Sequence, residues 1–275
     1  MRSILVTALL ITIGFIAFAQ FLRRTSMFFP APYPAGEWNA ARYAVPPVDH
    51  FFTASDGVKL HAWLFPAENA DAPVMIWFHG NGGNLTLRGE MAAELARRGI
   101  SVFVFDYRGF GRSEGAPSEA KLFLDSIAAF EYVAKTLRPT RIALYGESLG
   151  GPYAAWVAKE RPVHCVIIEN SFPSLRALGN TIYRPLPLGY TAPRALRTTE
   201  WLNAAGVPVL VMHGRNDRVI PFTLGKQLYD GLRVKKEMLI SENAGHSEIP
   251  FLDSTRYYEA VVRFITDSSQ TPPYR

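Results

Sequence analysis

Gly146-Glu147-Ser148-Leu149-Gly150 stands between an apolar run, Arg141 to Tyr145, and a segment of helical character, Pro152 to Lys159. In that setting the five residues read as a nucleophile elbow, a sharp strand-to-helix turn of strained backbone that lifts a serine oxygen out of a sheet. The neighbours two places away on each side of such a serine must be small to avoid collision, and Gly146 and Gly150 meet that demand. The start of the following helix offers unpaired N–H groups and a positive dipole end where an oxyanion would form. The chemistry implied is acyl transfer through a serine ester. Two glycines around a serine also arise by chance, so the partners elsewhere in the chain decide the matter.

A serine hydroxyl is a poor nucleophile at neutral pH until a positioned imidazole takes its proton. The chain has six histidines. His246 lies in the turn-rich Asn243-Ala244-Gly245-His246, between the strand-like Lys236 to Ser241 and the amphipathic Thr255 to Ile265, where a loop can reach an elbow. Asp217, in His213-Gly214-Arg215-Asn216-Asp217 after the apolar run Val207 to Met212, is the candidate to orient that imidazole; as an Asn-Asp pair it also fits a plain turn. Glu169 is a rival acid, with a helix-capping or surface role as its alternative. His213 reads as a packing or turn residue, and His50, His61 and His164 lie in or beside strands.

An oxyanion hole requires two backbone N–H donors. One is expected from Leu149, directly after the nucleophile, and the other from Asn81 in the loop His79-Gly80-Asn81-Gly82-Gly83-Asn84, which follows the apolar Val74 to Phe78. His79 is then a structural hydrogen-bonder beneath that loop. Two glycine-rich stretches invite nucleotide readings and fail them: the loop after Phe78 lacks the Gly-Lys-Ser/Thr ending of a phosphate loop, and Gly109 to Gly115 misses the dinucleotide spacing by one residue.

Taken together, His79-Gly80-Asn81, Asp106-Tyr107-Arg108-Gly109-Phe110-Gly111-Arg112-Ser113, the Ser148 elbow, the Asp217 loop and Gly245-His246 resemble the α/β-hydrolase superfamily. Within it they are similar to the membrane-anchored, BEM46-like branch, over roughly Val48 to Ile265 and in the family's order. The resemblance implies a serine hydrolase of esters or thioesters, often lipidic, with Ser148, Asp217 and His246 as catalytic triad and no cofactor or metal. It leaves the substrate open. A peptidase or perhydrolase would use the same triad, and a non-catalytic binding protein on the same fold is the reading from a different class. Dehalogenase and epoxide-hydrolase chemistry is disfavoured, because those enzymes need a carboxylate where the elbow has Ser148.

A chain of 275 residues, 48% of them hydrophobic, can bury one sizeable core. Its single cysteine, Cys165, sits in an apolar run, where a buried inert thiol is expected and no internal disulfide can form. The net charge of +5 is modest and its basic residues are scattered, which argues against nucleic acid and leaves an anionic lipid surface as the natural basic partner.

Before the catalytic domain, Ile4 to Leu22 is uncharged and long enough to cross a hydrocarbon core, with Arg2 before it and Arg23-Arg24 after it. Residues 1–24 are therefore expected to be a retained single-pass membrane anchor. Ala17-Phe18-Ala19 before Gln20 also suits signal-peptidase cleavage, which would give a periplasmic or secreted protein. Residues 25–47, rich in proline and aromatics, read as a tether that docks on the domain or the membrane interface.

From Val48 onward the pattern is a hairpin, Val48 to Thr53 and Val58 to Phe65 around Ser55-Asp56-Gly57, followed by alternating strands and helices. Strands are expected at Pro73 to Phe78, Ile100 to Phe105, Arg141 to Tyr145, Val163 to Ile168, Val207 to Met212 and Glu237 to Ser241. They are short and nearly continuously apolar, as parallel strands covered on both faces should be. Helices are expected at Leu85 to Arg98, Ser118 to Leu137, Pro152 to Lys159, Phe222 to Leu232 and Asp253 to Thr266. The whole, residues 48–275, reads as an α/β-hydrolase fold: a mostly parallel eight-stranded sheet flanked by helices, with catalytic groups at strand carboxyl ends. Phe172 to Gly206 breaks the alternation and is expected to be a short lid, whose Arg176, Arg184, Arg194 and Arg197 could meet anionic headgroups or simply face solvent.

Overall fold

The computed structural model describes residues 27–182 and 196–267, together with Gly14. The apolar runs become strands β1 (Val48–Thr53), β2 (Lys59–Phe65), β3 (Val74–Phe78), β4 (Ser101–Asp106), β5 (Ile142–Glu147), β6 (Cys165–Glu169), β7 (Val209–Gly214) and β8 (Lys236–Ser241). They form one sheet in the order β8-β7-β6-β5-β3-β4-β2-β1. The β1–β2 hairpin is antiparallel, with Phe52 opposite Leu60, and β2 runs antiparallel to β4; the remaining neighbours are parallel. Every residue of β3, β5, β6 and β7 is buried. Both faces are covered, which is why these strands lack the alternation of a half-exposed sheet.

The helices are α1 (Gly89–Arg97), α2 (Glu119–Tyr132), α3 (Gly150–Glu160), α4 (Leu175–Ile182), α5 (Thr198–Ala205), α6 (Phe222–Gly231), the short α7 (Ile249–Leu252) and α8 (Ser254–Thr266). The two-residue period of a strand sorts side chains between two core layers. Val74, Ile76 and Phe78 of β3 join Phe103 and Phe105 under α2, α3, α5 and α6. Met75 and Trp77 point the other way, into a layer closed by Ala92, Ala93 and Leu95 of α1 and by Tyr257, Val261 and Phe264 of α8. Burying a side chain of this size contributes about 1.5–3 kcal/mol, so the alternation fixes the register of β3 strongly.

Two expected helices start or end differently. The segment after Asn84 opens as a 3₁₀ turn, Leu85–Arg88, capped by the Asn84 side chain, before α1 begins. The segment after Ser118 leaves α geometry at Tyr132 and closes in a wider π turn, Val133–Leu137, ending at Arg138 in the left-handed region.

The expected tether is part of the domain over its described residues. Phe29–Pro30 pairs in parallel with Gly82–Gly83, Pro32 bridges to Gly111, and Tyr43 is buried against Trp63 and Phe65. The expected lid divides in two. Leu196 and Thr198 are buried, and α5 packs Trp201 and Leu202 into the core as an ordinary covering helix. Its approach is clasped to α4's approach by Leu175 N–H to Leu196 O (3.1 Å) and Thr199 N–H to Pro173 O (3.2 Å). Arg184 and Arg194 lie outside the described residues, as does the expected anchor from Ile4 to Leu22 apart from Gly14. Among the described residues no helix is long and apolar enough to cross a membrane.

Candidate active site

Ser148 follows β5 immediately and has φ of 51°, a left-handed conformation rare for a residue with a side chain. The turn is held by Ser148 N–H donating to Glu169 O (2.8 Å) and by the Ser171 hydroxyl donating to Ser148 O (2.7 Å). The two flanking glycines are required by close backbone approach. A Cβ on Gly150 would lie 1.9 Å from the Phe78 carbonyl oxygen, and one on Gly146 would lie 2.6 Å from Gly151 Cα. No side chain rotation relieves a clash with backbone, so the elbow closes only with glycine at both places.

The three side chains named from the sequence meet at this turn. His246 Nε2 lies 3.1 Å from Ser148 Oγ, and His246 Nδ1 lies 2.8 Å from Asp217 Oδ2. Asp217 Oδ1 accepts the backbone N–H groups of Val219 and Ile220, each at 2.8 Å, which leaves Oδ2 aimed at the imidazole. Burial works against a charge on His246, but the hydrogen bond and charge of Asp217, joined by Glu147 and Glu169, outweigh it and raise the imidazole above its ordinary value of 6.5. A base with this orientation can accept a proton from the serine and hold it as an imidazolium.

The expected oxyanion donors flank the same serine. Leu149 is the N-cap residue of α3, and the Asn81 loop passes so near that a Cβ on Gly80 would sit 3.5 Å from Ser148 Cβ. Among the described residues the Asn81 and Leu149 N–H groups donate to no loop or turn carbonyl. The Asn81 loop is tied on its far side to residues 27–35, here called the strap. Phe29 N–H donates to Asn81 O (2.8 Å), Ala31 N–H to Gly83 O (2.9 Å), and the Asn81 side chain to Met27 O (3.1 Å). The Asn84 amide adds bonds to Ala31 O (2.8 Å) and Ala35 O (2.7 Å).

The other histidines take structural places. His79 is fully buried, with Nδ1 2.7 Å from Gly80 O and Nε2 3.4 Å from Asp106 Oδ1. His213 is buried with Nε2 2.9 Å from Ile220 O, and His61 pairs with Asp49 at 2.6 Å. Cys165 is free and buried, and burial pushes its thiol up.

Three residues around the site were not singled out correctly from the sequence. Glu147, the residue before the serine in the elbow, is buried and grips Arg88 with two bonds, Nη2 to Oε1 (2.7 Å) and Nε to Oε2 (2.9 Å). Burial alone would raise this carboxyl, yet the Arg88 guanidinium overrides it and holds it down at about 2. A charged residue inside a wholly buried strand is the signal that such a partner must exist. Glu169 is neither a cap nor a surface residue: it is buried, accepts from the Tyr145 hydroxyl, and is pushed up to about 7 by burial and by the charge of Glu147. Asn170, at φ of 46°, joins the two functional loops; its Oδ1 accepts Gly214 N–H (3.0 Å) and its Nδ2 donates to Gly245 O (3.2 Å).

Comparison with known proteins agrees with this architecture. Residues 69–177 match the family model described as serine aminopeptidase, S33. The chain is 32% identical to an uncharacterized protein of Mycobacterium tuberculosis strain H37Rv, over 94% of this chain and 93% of that one. It is 28% identical to protein bem46 of Schizosaccharomyces pombe, covering 99% and 94% of the two chains. It is 30% identical to the lysophosphatidylserine lipase ABHD12 of Danio rerio, over 87% of this chain but 62% of that protein. Among solved structures, the esterase Pf2001 of Pyrococcus furiosus superposes with a TM-score of 0.71 at 21% identity, covering 87% of this chain and 97% of that one, a likeness of fold.

Proposed function

The chain belongs to the α/β-hydrolase superfamily, in its BEM46-like branch, and from that premise we propose that it is a membrane-tethered serine hydrolase of carboxylic esters or thioesters carried by acyl lipids or acylated molecules. The observation that carries the reading is the unbroken relay from Asp217 Oδ2 to His246 at 2.8 Å and from His246 Nε2 to Ser148 Oγ at 3.1 Å. Ser148 Oγ bonds to the acyl carbon while its proton passes to His246 Nε2. Asp217 fixes the tautomer that leaves Nε2 free to accept and stabilises the imidazolium formed. The oxyanion is met by the Asn81 and Leu149 N–H groups, and its collapse expels an alkoxide or thiolate that takes the proton from His246. Water then repeats the sequence on the acyl-enzyme and frees the acid.

A lipidic acyl group is supported by the likeness to a lysophosphatidylserine lipase and by the apolar sequence from Ile4 to Leu22. The test is a hydrolysis panel spanning acyl lengths, headgroups, thioesters and aminoacyl amides, run beside fluorophosphonate labelling. Ester or thioester turnover and labelling are both expected in the native chain, and both should vanish in Ser148→Ala with the fold retained. Turnover confined to aminoacyl amides would move the assignment to a peptidase, and an unlabelled native chain would make it a binding protein.

A further inference from the structure

The described fold begins at the rim of the site. Met27 O accepts the Asn81 side chain at 3.1 Å, and Phe29 N–H reaches Asn81 O at 2.8 Å, so the strap starts on the loop that carries one proposed oxyanion donor. Ahead of it come Arg23-Arg24-Thr25-Ser26 and then the uncharged run ending at Leu22. However that short connection is arranged, it spans at most roughly 18 Å from Leu22 to Met27. A bilayer holding the apolar run therefore comes within that distance of the loop beside Ser148.

Five of the ten large apolar side chains that stand exposed among the described residues, the five most exposed, belong to this end. Phe29 is 57% exposed, Leu87 62%, Val219 56%, Phe251 66% and Leu252 60%. Leu87, Val219 and the Phe251-Leu252 pair lie in the connections leaving the carboxyl ends of β3, β7 and β8, and Phe29 is paired to the first of these. Those strands are parallel, so the residues share the sheet edge that holds Ser148. Single exposed apolar groups are ordinary on a protein surface, but a group of them around a site marks an interaction face.

We propose that this face is seated on a lipid bilayer, with Phe29, Leu87, Val219, Phe251 and Leu252 in the interfacial layer around the mouth of the site. The reach of the connection selects lipid over a protein partner, because it brings a membrane to this edge without any further contact. Arg23 and Arg24 follow the apolar run directly in the sequence, and basic residues beside such a run are favoured next to anionic lipid. The site then draws its acyl group from the membrane plane and not from bulk water. This rests on the membrane-tethered reading above, and the test separates the two.

The full chain carrying Ser148→Ala is reconstituted in vesicles of phosphatidylcholine and phosphatidylglycerol bearing an acyl-chain spin label. A fluorophore is attached, in separate proteins, at Leu252→Cys, Leu87→Cys and the flank position Leu124→Cys on α2; buried Cys165 does not compete for it. Emission at 252 and 87 is expected to fall on the order of twofold, as for groups sunk into the headgroup boundary, while 124 is unchanged. A chain that floats with the vesicles but shows equal quenching, or none, at the three positions overturns the seating alone. A chain that does not float overturns the tethered reading, and the seating with it. Cross-linking between copies through Leu252→Cys without quenching assigns the patch to a second copy and likewise overturns it.

Discussion

At the scale of single residues, the groups beneath the nucleophile are as informative as the relay itself. Glu147 and Arg88 are each 6% exposed and pair in a two-pronged bridge. Removing one partner of such a pair leaves a charge without water or counterion, which costs about 3–5 kcal/mol. Glu147→Ala should lose stability on that scale in urea unfolding, far beyond the effect of breaking an exposed, solvent-screened ion pair such as Arg215–Glu242. His246 carries a second prediction. Because its imidazole is raised above 6.5, kcat/KM should fall as pH drops through a value above 6.5, where the base becomes protonated. Asp217→Asn keeps the size of the side chain but presents an amide to Nδ1, so kcat should fall by about a thousandfold or more with KM little changed. Burial then acts on the histidine with only the more distant charges of Glu147 and Glu169 against it, and the acid limb should move to lower pH; an unmoved limb would mean another group sets it.

At the scale of elements, the loops must be held to one another as well as to the sheet. Asn170 does this for the Asp217 and His246 loops, through Gly214 N–H at 3.0 Å and Gly245 O at 3.2 Å. Asn170→Ala removes both bonds at a left-handed position that asparagine tolerates better than alanine. We expect kcat to fall with KM spared, and unfolding stability to drop by about 1–3 kcal/mol. What was legible in the sequence, and what was not, divides at this scale. The strands of the sheet were legible because a run such as Val74–Phe78 is buried on both faces and must be apolar throughout. The meeting of Ser148, Asp217 and His246 was legible because each lies in the turn-rich stretch that follows a strand. That residues 25–47 dock on the domain was one of two readings open in the sequence, but the seam of the strap to Gly82–Gly83 was not legible, because it is made by main-chain groups and leaves no side-chain pattern. Asn170 was hidden for a similar reason: a polar residue at a strand's end reads as any turn, and its partners lie on chain far away in sequence. The π turn at Val133–Leu137 has apolar residues that suit an α-helix equally well. Glu169 was misread because its neighbour in the sheet, Glu147, is invisible to a reading of one strand at a time.

At the scale of the whole molecule, the two buried glutamates give the fold an asymmetric response to pH. Glu169 ionises near 4.5 when unfolded but holds its proton to about 7 in the fold, so its contribution is full below pH 4.5 and is lost as pH rises through 7. Glu147, held down at about 2, contributes above pH 4.5 and loses that contribution as pH falls toward 2. The two act in opposite directions on either side of pH 4.5, so their joint contribution falls away both toward strong acid and toward neutrality. Glu169→Gln should flatten the decline between pH 4.5 and 7 while leaving the acid limb in place. Urea midpoints across a pH series measure both limbs, and an unchanged slope in that variant would assign the neutral limb to another group. The Arg108 side chain holds the fold together on the opposite flank, bridging Asp56 in the hairpin turn (2.7 Å) and Asp125 on α2 (2.6 Å).

The seam between residues 27–35 and the glycine loop also decides where the polypeptide can be shortened for work in solution. A start at Met27 discards the apolar leader and keeps every main-chain bond that braces Asn81. A start at Val48, where the first sheet strand begins, strips one whole edge from that loop and uncovers the groove filled by Tyr43. The first shortened protein should turn over soluble esters as the full chain does, whereas the second should melt earlier and react slowly even though every residue of the relay remains.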